Sequence, residues 1–326
     1  MSTTSHIPAV IHPWVAEGQR RVRFAVSIYP NPPDWPGFIR HVRWMEDHGI
    51  DAYFAYDHPA VNADCWTALA ALAASTSTIR LGTAIDCIYY RSPYLLARQA
   101  ADVDRISGGR LVLGIGIGDR PDEFAMMGMP YPPARDRQRA LDEAIAILRG
   151  LWSGQPFSFE GETVSARCDA NFLPPVQQPH VPIIIAGGGE KVTLRQVAKY
   201  ADASNMGAHE SIGGAYSAED LGRKFTILRG YLTEQGRDPE SVLRTQFTMP
   251  LILAETPQAL ARKMAAMPQN VLAWCGAALF AGTPDEAIAF YRDLTAKGFQ
   301  YFIANILAGD EESVELLAEA VLPAFA

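Results

Sequence analysis

The sequence lacks the features of secreted, membrane-spanning and nucleic-acid-binding proteins. Its 326 residues are 48% hydrophobic and 20% charged, with a net charge of −8. No block of lysine and arginine offers phosphate neutralisation, and no apolar run approaches the roughly 20 residues that cross a bilayer. The segment from Met1 to Gly18 has no basic start followed by an apolar core. We therefore expect a cytoplasmic protein with neither a nucleic-acid nor a membrane partner.

Cysteine is scarce and scattered. The four cysteines are Cys65, Cys87, Cys168 and Cys275, and no two of them form a Cys-x-x-Cys pair. They therefore indicate neither a disulfide framework nor a zinc site. No His-x-His or His-x-x-Glu pattern supports another metal site, so we predict none.

Strand-like and helix-like segments alternate along the chain. The eight strand candidates are residues 22–28, 52–56, 79–85, 111–113, 182–186, 203–206, 244–253 and 300–306. The main helix candidates are residues 34–48, 65–76, 92–107, 141–152, 221–232, 284–297 and 311–320, with a further one beginning at Glu190. This order predicts an α/β fold, a (β/α)8 TIM barrel.

The barrel is expected to form a single domain over residues 21–326, preceded by an N-terminal extension at 1–20. Residues 153–181 interrupt the alternation and predict an insertion after the fourth helix. Within it, the segment from Phe157 to Val164 resembles a β-hairpin.

The fourth predicted strand ends in spaced glycines followed by a carboxylate. Residues 111–113 are consecutively apolar, as expected for a strand covered on both faces. The glycines at residues 114–118 leave the backbone without side chains at the end of the strand, where barrels bind ligands. Alternatively, they only relieve crowding at the barrel rim. Asp119 is placed to act as an acid or to orient a substrate, or else to cap the next segment. Glu123 is a weaker candidate and equally a first-turn helix residue.

A second glycine-rich exit follows the fifth predicted strand. Ile183–Ala186 is followed by Gly187, Gly188 and Gly189, with a helix expected from Glu190. Free backbone N–H groups at a helix start suit a phosphate group. A structural turn needs one glycine or two, so three favour anion binding.

The second predicted strand ends in Asp57-His58. Both side chains would face the catalytic end of a barrel, where histidine can exchange a proton near neutral pH while a carboxylate orients it. Alternatively, Asp57 caps the loop and His58 packs in the core. The strand at residues 79–85 ends in small side chains that could lie beneath a flat ring.

Together these segments resemble the luciferase-like monooxygenase superfamily of flavin- and deazaflavin-dependent oxidoreductases, and are most similar to its coenzyme F420-dependent branch. The markers are Asp57-His58, residues 79–85, Arg91-Ser92-Pro93, residues 104–118, Pro175-Val176-Gln177, residues 183–205, Gly236-Arg237-Asp238-Pro239 and residues 282–286. Their order and spacing cover nearly the whole chain after about residue 20.

The resemblance implies a cofactor site and two catalytic residues. It makes His58 the base and Asp119 the assisting acid. It also implies a cis peptide at Ala84-Ile85 behind the ring, with Gly116–Gly118 beside the ring and Gly187–Gly189 on the phosphate. The residues expected to bind the cofactor are Asp57, Thr83, Ala84, Ile85, Gly116, Ile117, Gly118, Ala186, Gly187, Gly188, Gly189 and Asn205.

The implied activity is hydride transfer between coenzyme F420 and a small organic substrate. The alternatives are an FMN-dependent two-component monooxygenase with a separate reductase, and a barrel that binds a flavin without catalysing a reaction. The family also implies a homodimer. Two positions depart from its pattern: Pro59 replaces a common aromatic residue, and Asp119 is shorter than the glutamate of the sugar-phosphate dehydrogenases.

A largely apolar substrate is expected from aromatic residues near the predicted pocket. That pocket would be formed by residues 153–181, the loop around Trp35 and the residues near Trp274-Cys275. The aromatic residues are Tyr89, Tyr90, Phe157, Phe159 and Phe172, although they could equally serve the packing of the insertion itself.

Overall fold

A closed barrel of eight parallel strands forms the centre of the molecule. The computed structural model describes residues 11–28, 34–207 and 217–326. The barrel strands are β1 (Arg23–Ser27), β2 (Ala52–Ala55), β3 (Arg80–Thr83), β5 (Leu111–Gly116), β8 (Ile183–Ala186), β9 (Ala203–Gly207), β10 (Leu243–Thr248) and β13 (Tyr301–Asn305). The sheet runs β3-β2-β1-β13-β10-β9-β8-β5, and pairing of β3 with β5 closes it. The predicted (β/α)8 fold is therefore confirmed.

Five short strands lie outside the barrel order. They are β4 (Asp86–Cys87), β6 (Phe157–Glu160), β7 (Ser165–Cys168), β11 (Leu251–Leu253) and β12 (Phe280–Gly282). β4 extends the edge of β5, β6 and β7 form an antiparallel hairpin, and β11 pairs in parallel with β12.

Helices surround the barrel. They are α1 (Pro13–Gly18), α2 (Trp35–Asp47), α3 (Cys65–Ser75), α4 (Pro93–Ser107), α5 (Pro121–Met126), α6 (Ala134–Trp152), α7 (Thr193–Tyr200), α8 (Ala218–Glu234), α9 (Pro257–Ala266), α10 (Gln269–Cys275), α11 (Pro284–Ala296) and α12 (Glu311–Leu316). In the described part of the chain, no helix combines the length and apolar character needed to span a membrane.

Local sequence signals explain where the helices begin and end. The Ser92 hydroxyl accepts a hydrogen bond from the Leu95 backbone N–H, and Pro93 occupies the first turn of α4. Gly108 ends that helix at φ +70°, a conformation that glycine adopts without strain. Such signals lie within a few residues of each boundary, so the sequence located these helices well.

The first helix covers the amino-terminal end of the barrel. Trp14 and Val15 are buried in the same apolar cluster as Ala25, Leu243 and other inward-facing strand residues. Residues 11–20 of the expected extension therefore pack into the barrel, while residues 1–10 lie outside the described part.

Several predicted boundaries were wrong. The strand predicted at 244–253 is divided at the cis Met249-Pro250 bond into β10 and β11. Helix α7 begins at Thr193 rather than at Glu190, and the α-helix predicted to end at residue 320 ends at Leu316, followed by a π-helical turn. The hairpin extends to Cys168 because its turn, residues 161–164, is held by the carboxylate of Glu143.

Candidate active site

One cavity opens at the carboxyl ends of the barrel strands, the end at which barrel enzymes carry their chemistry. Its lining residues are Tyr56, Asp57, His58, Ala84, Ile85, Asp86, Cys87, Tyr90, Gly116, Ile117, Gly118, Asp119, Arg120, Ala186, Gly187, Asn205, Gly207, Phe247 and Met249. The site residues predicted from the sequence all lie on this lining, except Thr83, Gly188 and Gly189. The cavity therefore brings together segments from six strand ends that are distant in sequence.

The floor of the cavity is formed by the ends of β3 and β5. The Ala84-Ile85 peptide bond is cis, as the family resemblance implied. Thr83 is buried beneath it, and its hydroxyl donates a hydrogen bond to the Gly114 carbonyl at 2.6 Å. Thr83 thus joins the two strands instead of lining the cavity.

The glycines at the end of β5 and directly after it are required for different reasons. A Cβ at Gly114 would lie 2.0 Å from the Thr83 carbonyl oxygen, so this glycine is required by the close approach of two strands. Gly118 has φ +73°, and a Cβ there would lie 2.7 Å from the Cys87 sulfur. By contrast, a Cβ at Gly116 would meet only the tip of Ile85, at 3.3 Å. Gly116 therefore leaves space on the cavity side.

The second glycine loop presents backbone donors beside β8. Gly187 has φ +110°, and its N–H donates to the Asn205 carbonyl at 3.0 Å. Within the described residues, the N–H groups of Gly188 and Gly189 have no hydrogen-bond acceptor. The buried ammonium of Lys224 donates to the Gly188 carbonyl at 2.5 Å. Lys224 is a positive group at this loop that the sequence interpretation missed.

His58 is held in a defined orientation. Its Nδ1 lies 3.0 Å from each carboxylate oxygen of Glu123, and its ring stacks on Tyr56 with centroids 5.9 Å apart. The His58 backbone N–H donates to the side chain of Asn62 at 3.1 Å. Nε2 has no hydrogen-bond partner among the described residues, so it is the ring nitrogen available to the cavity.

Glu123, and not Asp119, is the carboxylate in contact with His58. Glu123 is fully buried, whereas Asp119 is exposed at the cavity rim and forms no hydrogen bond or ion pair with His58. The reason is local: Pro121 begins the short helix α5 directly after the strand exit, and this turn directs Glu123 and Phe124 inward. The sequence analysis named both carboxylates and ranked Glu123 below Asp119, because the path of α5 that turns Glu123 inward is not evident from residue spacing.

Both carboxylate oxygens of Asp57 accept hydrogen bonds from neighbouring residues. Arg91 donates to both of its oxygens, at 2.8 and 2.9 Å, and the Cys87 N–H donates at 3.1 Å. The same guanidinium donates to Asp86 Oδ2 at 2.5 Å. Asp57 therefore connects the end of β2 to β4 through hydrogen bonds, while also lining the cavity.

Asp86 is a fully buried acid that lines the cavity next to this ion pair. Burial is the largest cause that raises the pKa of Asp86, to about 8, and the charge of Asp57 adds to it. Trp66 donates to Asp86 Oδ2 at 2.7 Å, whereas Oδ1 has no partner in the described structure. Asp57, Asp86 and Cys65 lie close enough to share a metal ion, but Arg91 supplies the positive charge there, and burial raises the pKa of the Cys65 thiol.

The aromatic residues of the insertion lie away from this cavity. Phe157, Phe159 and Phe172 pack against the hydrophobic core, which was the alternative interpretation of those residues. Of the five aromatic residues expected near the substrate, only Tyr90 lines the cavity. The other large apolar side chains of the lining are Tyr56, Ile85, Ile117, Phe247 and Met249. Part of the loop before Trp35 and the side chain of Trp274 lie outside the described structure.

Fold and cavity together define a (β/α)8-barrel protein with a cavity at the carboxyl ends of its strands. A family model described as luciferase-like monooxygenase matches residues 7–317. The chain therefore belongs to the luciferase-like monooxygenase family.

Two relatives show how far the sequence similarity extends along the chain. The chain is 28% identical over 313 residues to the F420-dependent glucose-6-phosphate dehydrogenase of Amycolatopsis mediterranei, covering 86% of this chain and 88% of that one. It is 34% identical over 152 residues to an uncharacterised protein of Mycobacterium tuberculosis. That match spans about half of each chain, 47% of this one and 52% of the relative.

Solved structures share the fold at lower identity. The coenzyme F420-dependent tetrahydromethanopterin reductase from Methanopyrus kandleri superimposes with a TM-score of 0.77 at 21% identity, covering 94% of this chain and all of that one. The EDTA monooxygenase from Chelativorans sp. BNC1 superimposes with a TM-score of 0.76 at 18% identity, covering 93% of each chain. These likenesses concern the fold.

Proposed function

We propose that the protein is an oxidoreductase that transfers a hydride between coenzyme F420 and a small organic substrate. The observation that carries the proposal is the orientation of His58, whose Nδ1 is engaged by buried Glu123. Its other ring nitrogen is left for the cavity. Relatives that match most of the chain and are named as F420-dependent enzymes support the choice of cofactor.

The residues of the cavity suit a flat ring with a phosphorylated tail. The space beside Gly116, which any larger side chain would fill, adjoins the Ala84-Ile85 bond that forms the floor. The N–H groups of Gly188 and Gly189, which have no acceptor within the described part of the chain, lie near the ammonium of Lys224 and suit a phosphate. The ring would then bind beside Gly116–Gly118, and the phosphate would bind at Gly187–Gly189.

Bound coenzyme F420 would supply hydride transfer at C5 of its deazaflavin ring. His58 Nε2 would accept the proton of a substrate hydroxyl during oxidation. In the reduction direction, the ring protonated on both nitrogens would donate that proton from Nε2 to the carbonyl oxygen. Tyr56, Phe247 and Met249 would contact the apolar part of the substrate. The lining thus favours a small substrate that joins an apolar body to one oxygen-bearing carbon.

Cofactor titration tests the proposal directly. Purified apoprotein is titrated with F420 and with FMN, and fluorescence and visible absorbance are followed. We expect saturable F420 binding that Gly116→Leu weakens at least ~10-fold, because the new side chain fills the ring space. Gly222→Leu is the matched control, since a Cβ at that exposed position meets no atom within 4 Å.

The other outcomes identify the alternatives. Tight binding of FMN with no response to F420 would replace the proposal with an FMN-dependent monooxygenase, which needs a separate reductase. Binding of neither cofactor would favour a barrel without this catalytic role. Equal F420 affinity of the Gly116→Leu and Gly222→Leu variants would mean that the ring binds elsewhere.

A further inference from the structure

A third side chain completes the contact between His58 and Glu123. The Tyr90 hydroxyl donates a hydrogen bond to Glu123 Oε2 at 2.6 Å. Within the described residues, Glu123 forms no ion pair with a lysine or arginine, and its side-chain partners are His58 and Tyr90. A buried carboxylate is therefore shared by two residues that also line the cavity.

The chemistry of these groups determines where the hydrogens lie. An ionised carboxylate only accepts hydrogen bonds, so both neighbours must donate. Burial, and then the hydrogen bond to Glu123, raise the pKa of Tyr90 well above its ordinary value. The hydroxyl accordingly keeps its proton and acts as the donor. By the same geometry, His58 carries a hydrogen on Nδ1.

We propose that Tyr90 and Glu123 are positioning residues that hold His58 in its Nδ1–H tautomer and direct Nε2 into the cavity. This inference rests on the proposed function, in which Nε2 exchanges a proton with the substrate. Tyr90 follows the segment that contains the Ala84-Ile85 bond, and Glu123 follows the Gly116–Gly118 exit. The contact thus connects the histidine to both walls of the proposed ring site.

The neighbouring Tyr89 provides a matched control. Its ring lies 5.6 Å from that of Phe124, and the Tyr90 ring lies 5.5 Å from the same residue. Tyr89 neither lines the cavity nor bonds to Glu123 in the described structure. Removing either hydroxyl therefore perturbs the same packing, but only one removal affects the carboxylate.

The test measures the His58 tautomer by NMR of full-length protein labelled with ¹⁵N-histidine, at a pH well above the histidine range. The His58 signals are assigned by their loss in His58→Asn. We expect the Nδ1–H form in the wild type and in Tyr89→Phe. In Tyr90→Phe, Glu123 loses the hydrogen bond that holds its carboxylate beside His58, and in Glu123→Gln an acceptor is replaced by a donor. In both variants the ratio of Nδ1–H to Nε2–H should fall ~3- to 10-fold, the scale of one hydrogen bond.

Glu123→Gln has a specific reason to disturb the tautomer. A glutamine side chain replaces one accepting oxygen with an NH₂ group that only donates, and His58 Nδ1 lies 3.0 Å from both oxygen positions. A donor there opposes a hydrogen on Nδ1. Circular dichroism and thermal unfolding confirm that each variant is folded. A Tyr90→Phe spectrum equal to that of Tyr89→Phe would overturn the role of Tyr90, and an Nε2–H form in the wild type would overturn the whole inference.

F420 titration of the same samples separates the two proposals. If F420 fails to bind while the tautomer responds as expected, the proposed function fails and the positioning of His58 stands. If F420 binds while neither substitution changes the tautomer, the positioning role is overturned and the proposed function stands.

Discussion

Arg91 and Asp57 form a bidentate ion pair in the wall of the cavity, with N–O distances of 2.8 and 2.9 Å. The two residues are 34 positions apart, and the same guanidinium also contacts Asp86. Their pairing connects the end of β2 to the segment after β3, which carries the cis Ala84-Ile85 bond. The floor and the His58 wall of the cavity are therefore connected by one half-buried cation.

Replacing Arg91 should destabilise the protein strongly. Arg91→Met leaves the buried carboxylate of Asp57 without its cation, and removing one partner of a buried ion pair typically costs about 3–5 kcal/mol. The measurement is the free energy of unfolding in urea. Arg98→Met on the following helix, α4, is the control, because Arg98 is exposed and forms no ion pair in the described structure. Equal stability of the two variants would contradict the prediction.

Asp86 should make stability decrease as the pH rises. Its pKa is raised from 3.8 to about 8 in the folded protein, so between these values the folded state binds more protons than the unfolded state. The contribution of Asp86 is therefore present at low pH and is lost as the pH rises towards 8. Asp86→Asn should reduce this dependence, as measured by urea unfolding across that range. If the free energy of unfolding of Asp86→Asn depended on pH as strongly as that of the wild type, Asp86 would not be protonated in the folded protein.

Removing His58 should abolish most of the turnover while leaving cofactor binding intact. General acid–base catalysis contributes about 10²–10⁴-fold, so His58→Ala should lose activity on that scale with a substrate identified by screening alcohols and carbonyl compounds. F420 affinity and the unfolding temperature are measured in parallel. His48→Ala is the control, since His48 lies at the end of α2 and does not line the cavity. Full activity of His58→Ala would assign the histidine to packing.

The hairpin of the insertion should depend on the charge of Glu143. Burial alone would raise the pKa of Glu143, but hydrogen bonds from Thr163, Glu162 and Val164 lower it below 4.5. Its stabilising contribution is thus present above pH 4.5 and lost as the pH falls through the lower native value. Glu143→Gln should cost about 1–3 kcal/mol at neutral pH.

The difference in free energy of unfolding between the wild type and Glu143→Gln should decrease as the medium is acidified, because the wild-type carboxylate then loses its charge as well. Urea unfolding at a series of pH values measures it. Glu160→Gln, an exposed change on β6, should have little effect at any pH. A difference in free energy of unfolding that does not change with pH would mean that the variant loses packing contacts and not a charge interaction.

Much of the fold was predictable because its signals are local. Unbroken apolar runs such as Leu111–Leu113 mark strands buried on both faces, and glycines mark the strand ends where the cavity lies. The cis bond at Ala84-Ile85 followed from the family resemblance. The predicted catalytic and cofactor roles remain predictions, although most of those residues line one cavity.

By itself, the sequence determined the eightfold strand order and the segments that meet at the cavity, because a strand's burial and exit depend on adjacent residues. Only the tertiary structure decided which carboxylate contacts His58. Asp119 and Glu123 are four residues apart, and the path of α5 places one at the rim and the other in the interior. Likewise, Tyr90, Arg91 and Lys224 each have a hydrogen-bond partner that lies more than 30 residues away along the chain. Such contacts depend on how elements pack in three dimensions, which residue spacing along the chain does not specify.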